Sequence, residues 1–139
     1  MYKNILFAVE FTHAEYLAEQ QIKQLVELFK ANLFLINVIE MPTIDIFPDI
    51  INKEILYIDQ TRKELANIGT MLNVPTENQF VEIGYPKIII PKIIEQCNID
   101  LLVIGHHERR GIYHLLGSTA YALLAHAKCA VLTLPYPAY

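Results

Sequence analysis

The side chains with the most chemistry to offer sit late in the chain. Gly105, His106 and His107 follow an apolar run, and Gly117, Ser118 and Thr119 precede an apolar-periodic segment. Small residues at the start of a helix expose main-chain N–H groups at its partially positive end, which is the physical form of an anion or phosphate site. Glu10, just after a second apolar run, has two readings. It is a ligand-binding acid, or it fixes the turn before the next helix. Ser118 and Thr119 serve either as phosphate contacts or as the N-cap of the helix they open, and the two roles are compatible.

The adjacent histidines invite a metal reading with His114. Successive residues in an extended loop point in different directions, and no His-x-x-x-His or Cys/His spacing supports the idea. The pair therefore reads as a loop anchored by side-chain hydrogen bonds, and no metal site is expected. Arg109 and Arg110 read equally as phosphate contacts or as a solvated loop face. There is no Gly-x-Ser-x-Gly elbow and no Gly-x4-Gly-Lys-(Ser/Thr) loop. A phosphoacceptor receiver would need a carboxylate cluster after the first strand and an acceptor aspartate after the third. Glu10 stands by itself and Ile83-Gly84 fills the other place, so that class is excluded.

These residues need a scaffold, and hydrophobic periodicity supplies one. The 139 residues are 53% hydrophobic and 19% charged, enough for one domain, 1–139, with a sizeable core. A net charge of −4 gives no broad attraction to nucleic acid. No apolar run approaches the roughly 18 residues of a membrane span. The N-terminus does not resemble a signal peptide. Cys97 and Cys129 form no Cys-x-x-Cys pair, so a reducing, cytoplasmic location is expected.

Buried-type strands are expected at Asn4–Val9, Leu33–Val38, Leu101–Ile104 and Val131–Leu134, and an edge-like alternating strand at Gln79–Ile83. Between them run four helices. The first opens with Thr12 and Glu15 at capping-box spacing and carries the stripe Ala14, Leu17, Ala18, Ile22, Leu25, Val26 and Phe29. The second spans about Asp49 to Leu72, with Ile51, Ile55, Ile58, Leu65 and Leu72 inward. The third begins at Pro86 and buries Ile89, Ile90, Ile93, Ile94 and Cys97. The fourth turns Ala120, Leu123, Leu124 and Ala127 inward. Pro135 and Pro137 end regular structure, leaving Tyr136 and Tyr139 as a frayed tail or part of an interface. This βαβαβαβαβ order specifies an open doubly wound α/β fold with a five-stranded parallel sheet and helices on both faces. Ligands in such sheets bind beyond the carboxyl ends of the strands, where strand order reverses.

Taken in order, Ile5–Glu10, Leu35–Val38, Gly84-Tyr85-Pro86, Val103–His107, Gly117–Thr119 and Ala130–Pro135 resemble the universal stress protein family. The resemblance covers essentially the whole chain. It implies the strand order 3-2-1-4-5 of the adenine nucleotide alpha hydrolase-like fold. It also implies a homodimer through the last strand, Val131, Leu132, Thr133 and Leu134, which agrees with the liability of an uncovered apolar edge. One branch of the family binds ATP through Gly-x2-Gly-x9-Gly-(Ser/Thr). The other, typified by universal stress protein A, carries Gly-His-His. Here Glu108 replaces the second glycine, eight residues separate it from Gly117, and the first-strand acid is Glu10 rather than Asp. The resemblance thus implies the second branch: a stress-response protein acting through binding, possible protein partners included, with weak or no ATP binding and no resident cofactor. The alternative is an ATP site, with magnesium, built from Glu10, Val38, Gly105, His107, Gly117, Ser118 and Thr119.

Overall fold

The computed structural model describes residues 1–12, 15–40, 48–107 and 117–136, and side chains throughout except those of 48–52 and 107. Five parallel strands form one sheet. They are β1 (Asn4–Ala8), β2 (Asn32–Ile39), β3 (Gln79–Ile83), β4 (Leu101–His107) and β5 (Ala130–Tyr136). Four helices connect them: α1 (Glu15–Phe29), α2 (Pro48–Leu72), α3 (Pro86–Gln96) and α4 (Ser118–His126). The strand order is β3-β2-β1-β4-β5, as expected. The register runs Phe7↔Leu35 and Phe7↔Val103 on the two sides of β1, and Gly105↔Leu134 between β4 and β5.

Alternate residues of a strand face opposite sides of the sheet, and each side has its own core. Ile5, Phe7, Leu35 and Val103 pack with Ala18 and Ile22 of α1 and Leu65 and Leu72 of α2. Leu6, Ile36, Leu102 and Ile104 pack with α3 and α4 through Ile90, Ile94, Ala120 and Leu123. The chain winds one way from β1 and back the other way from β3, so α1 and α2 share one face while α3 and α4 share the other. Strand order reverses between β1 and β4, and their carboxyl ends separate there.

Several local expectations are corrected. Leu17 is 62% exposed, because the buried stripe of α1 is rotated to Glu15, Ala18, Glu19 and Ile22. In α2, Ile55 is exposed and inward packing among the described residues begins further on, at Thr61 and Leu65. Leu124 is partly exposed, and Ala127 is the C-cap of α4 rather than part of it. Gly105, His106 and His107 are not loop residues; β4 continues through them. Likewise β5 does not stop at Leu134. It runs through Pro135, which an edge strand tolerates because one side needs no ladder donor. Tyr136 is no frayed tail: it is fully buried. Cys97 and Cys129 are free and half-buried, and burial pushes both thiols up.

Candidate functional site

A cavity of about 420 Å³ opens at the carboxyl ends of β1, β2 and β4, between the starts of α3 and α4. Its floor is apolar, formed by Ala8, Ile36, Val38 and Ile104, with Pro86, Ile90 and Leu123 on the helix side. Its polar groups come from Glu10, Asn37, Glu40, His106 and Thr119. An apolar chamber with a few convergent polar groups is the form small-molecule sites take, and this volume holds a nucleoside-sized body.

The local sequence explains each wall. Asn37 is fixed because its side-chain amide donates to the Val9 carbonyl at 2.8 Å, while the Val9 N–H donates to Ile36 O at 2.8 Å. These bonds hold the end of β1 against β2 and set where Glu10 emerges. On the α3 side, the Gly84 N–H donates to the Ile39 carbonyl at 3.0 Å, and the glycine adopts φ +148°, a turn conformation that side chains rarely take. Pro86 then starts α3 with Tyr85 as N-cap. On the α4 side the N-cap is Gly117, not Ser118 or Thr119, and it makes no side-chain capping bond. The first main-chain N–H groups of α4 therefore lack partners within the helix and face outward at its positive end.

Of the residues singled out in the sequence, Glu10, Val38, Gly105, Gly117 and Thr119 line this cavity together. Ser118 lines an adjoining shallow hollow with Thr119, Glu40, Tyr85 and Lys87. His107 ends β4, paired in register with Tyr136. The histidine that lines the cavity is His106, whose Nδ1 is buried with no hydrogen-bond partner among the described residues. Val131 to Leu134 lie on the edge strand, with Leu134 buried and the other three half-buried. Glu108, Arg109, Arg110 and His114 lie outside the described residues, as does His13. Among the described residues no cluster of His, Cys, Asp or Glu is placed to hold a metal ion. No helix among them is long and apolar enough to cross a membrane.

Gly105 has a reason of its own to be glycine. A β-carbon there would overlap Cε2 and Cζ of Tyr136 and stand 2.6 Å from its hydroxyl oxygen. The ring of Tyr136 lies on the sheet face away from the cavity, in the core that α1 and α2 cover. The space for that ring is thus one strict demand on position 105, whatever approaches from the cavity side.

Sequence reasoning missed the polar chemistry beneath α1. Glu15 is 1% exposed, and its Oε1 accepts the main-chain N–H of Glu10. The N–H groups of Phe11 and Thr12 also favour its ionised form. Burial outweighs them, and Glu10 nearby adds to the effect, so the carboxyl is pushed up to about 7. Half of the expected capping box is present. Glu15 reaches back to the turn, but its own N–H donates to the Thr12 carbonyl at 3.1 Å, and the Thr12 hydroxyl has no hydrogen-bond partner among the described residues. Glu19 is also buried, and its carboxyl is raised by burial. Tyr136 feels Glu15, Glu10 and Glu19, and burial first, then those charges, push its hydroxyl far up. The Thr-x-x-Glu spacing was the one signal of this cluster. Nothing in the sequence pointed to Tyr136 as its neighbour.

Comparison with known proteins places this scaffold. Universal stress protein A homolog 1 of Coxiella burnetii is 31% identical over 136 residues, covering 94% of each chain. Homolog 2 of the same organism is 35% identical over 82 residues, which is 59% of this chain and 56% of that protein. Among solved structures, the universal stress protein UspA from Lactobacillus plantarum superposes with a TM-score of 0.64 at 26% identity, covering 96% of this chain and 97% of that one. Residues 1–135 match the sequence model of the universal stress protein family. With the five-stranded parallel sheet in the order 3-2-1-4-5, these matches establish that the chain belongs to the universal stress protein family.

Proposed function

We propose that this protein acts in the stress response as a cytoplasmic homodimer that works by binding rather than turnover, and that it binds ATP weakly or not at all. The observation that carries the reading is the charge of the cavity. Two carboxylates, Glu10 and Glu40, line it, and among the described lining residues there is no lysine or arginine. The apolar floor suits a flat, base-sized body. A magnesium-bound triphosphate keeps net negative charge, and in this cavity it meets two like charges against the N-terminus of α4. The starts of α3 and α4 each supply about half a unit of positive charge, which together does not offset two glutamates. The sequence adds Glu108 where the ATP-binding branch of the family has glycine.

The dimer reading rests on β5. It is an edge strand, and Val131, Leu132 and Thr133 remain only half-buried along it. An apolar edge of this kind is a template for a second strand. A second copy supplies one with the same spacing of donors and acceptors, and an isologous pair closes on itself.

The test is ATP–magnesium binding by the wild type and by the double variant Glu10→Gln/Glu40→Gln. Removing the two charges raises ATP affinity by roughly a hundredfold, about tenfold for each carboxylate, which is the effect of one pair of unit charges acting across about 8 Å at an effective dielectric near 30. Unchanged affinity contradicts the assignment of weak binding to these carboxylates.

A further inference from the structure

The two helices beside β5 each carry an exposed apolar flank, and both flanks face the same way. β5 is an outer edge of the sheet, and no described strand lies beyond it. α1 covers one of its faces, where Ala18 and Ile22 pack with Leu134 and Tyr136. α4 covers the other, where Ala120 and Leu123 pack beside Val131. At about 3.6 residues per turn, each helix has one flank toward the middle of the sheet and one toward the edge. On α1 the inner flank holds Lys23 and Glu27, which share a hollow with Leu72 and Asn73 at the end of α2. The opposite flank carries Leu17, Gln21, Gln24 and Leu28, all exposed. On α4, Thr119 and Ala122 share a hollow with Pro86 and Lys87 of α3. The flank opposite them, with Tyr121 and Leu124, therefore turns toward the β5 edge. In the single chain Leu17, Leu28, Tyr121 and Leu124 are 62%, 73%, 68% and 39% exposed.

The charges are sorted as sharply as the apolar residues. Glu15, Glu19, Lys23 and Glu27 are the charged residues of α1, and at their spacing none falls on the flank of Leu17 and Leu28. α4 contains no Asp, Glu, Lys or Arg. A helix flank left in water is ordinarily charged, whereas the centre of an interface is depleted of charge.

We propose that the β5 edge is the spine of a three-layer interface with a second copy of this chain. The outer flank of α1 packs on its counterpart over one face of the sheet, and that of α4 on its counterpart over the other. The inference rests on the reading of β5 as the dimer edge and names the surface that does most of the burying. Two β5 edges related by a two-fold pair antiparallel, with the axis perpendicular to the sheet. Strands lie about 4.8 Å apart, so a helix seated over β4 and β5 is about 5 Å from that axis. It is then about 10 Å from its image, a helix-packing distance. The area calls for the helices as well. The seven residues of β5 span about 23 Å, and an edge about 10 Å high presents roughly 230 Å². A stable dimer buries about 800 Å² on each partner. A second copy is the occupant because an uncharged apolar flank meets its own image without like charges.

Sedimentation equilibrium on the full chain tests the layers separately. Leu17→Gln/Leu28→Gln and Tyr121→Gln/Leu124→Gln each remove two apolar side chains per protomer from exposed helix positions. Each pair is expected to raise the dimer dissociation constant at least about a hundredfold. Leu56→Gln/Tyr57→Gln, on the equally exposed surface of α2, leaves it unchanged. In the wild type itself, the methyl resonances of Leu17, Leu28 and Leu124 shift on dilution with the dimer population, and those of Leu56 do not. Helix variants that dimerise like the wild type, while Leu132→Glu is monomeric, overturn the proposal and leave the β5 dimer standing. So do methyl shifts at Leu56 with none at Leu17, Leu28 and Leu124. A wild type that stays monomeric through the micromolar range overturns both the proposal and the dimer reading.

Discussion

Replacing Gly105 with alanine adds one methyl group to the molecule, and the consequence follows from a single contact. The added carbon overlaps the ring of Tyr136, which is fully buried and has no room to move aside. Gly105 does not have positive φ, so the cost is one of space and not of backbone strain. Overpacking of this kind costs about 1–3 kcal/mol, and a rigid buried ring places it near the upper end, about 3 kcal/mol. Tyr136→Ala empties the same space and costs about 4 kcal/mol. Combining the two changes removes the clash, and the new methyl fills part of the hole. The double variant is therefore expected to lose about 4 kcal/mol rather than the 7 of simple addition, a coupling of about 3 kcal/mol. Urea unfolding of the four proteins, read by far-UV circular dichroism, measures this. Tyr136→Leu substitutes where the alanine variant is too unstable to fit. Losses that add to within about 0.5 kcal/mol would refute the claim that Tyr136 dictates glycine at position 105.

Other substitutions test the turn, the sheet and the assembly. Glu15 holds its proton more tightly in the folded protein than in the unfolded chain, so its contribution to stability is complete below about pH 4.5 and is lost as pH rises to about 7. The whole loss is worth about 3 kcal/mol, of which about 2.5 kcal/mol falls between pH 5 and pH 8, so unfolding free energies from urea titrations at those two pH values should fall by about that much less in Glu15→Gln than in the wild type. Asp100 accepts the N–H groups of Lys3 and Asn4 at 2.8 and 3.0 Å and so fastens the start of β1 beside β4. Asp100→Ala should cost about 1–3 kcal/mol in thermal or urea unfolding, and hydrogen exchange should quicken first at residues 3–6. Leu132→Glu puts a charge in the middle of the β5 edge, and in the proposed dimer its image opposite, so sedimentation equilibrium is expected to report dimer for the wild type and monomer for the variant.

The fold was legible because buried parallel strands write themselves as continuous apolar runs, and Ile5–Val9 and Leu101–Ile104 are such runs. Strand ends were less legible. Gly105 and Pro135 look like breakers, yet β4 and β5 pass through both. At Gly105 the missing side chain makes room for a neighbour, and at Pro135 an outer edge needs no donor. Helix faces were read well where packing is tight, as with Ile90, Ile93 and Ile94. They were misread at Leu17 and Ile55, where the apolar period continues into solvent. The cavity was legible in outline, since Glu10, Val38, Gly117 and Thr119 lie at chain positions that this topology brings to one end of the sheet. Glu40 and Asn37 escaped notice, and His107 rather than His106 was assigned to the site, because these roles depend on which way a side chain points at a strand end. The cluster of Glu15, Glu19 and Tyr136 escaped it more completely. Tyr136 lies more than a hundred residues from the two glutamates, and a charged residue on a helix ordinarily reads as surface.

The most direct test of the account is calorimetric titration of the wild-type protein with ATP and magnesium near physiological salt. The carboxylate-lined cavity predicts no saturable heat at micromolar ATP and, at most, weak binding approaching millimolar concentrations. A saturable isotherm with a dissociation constant in the micromolar range would contradict it and place the protein in the nucleotide-binding branch of its family.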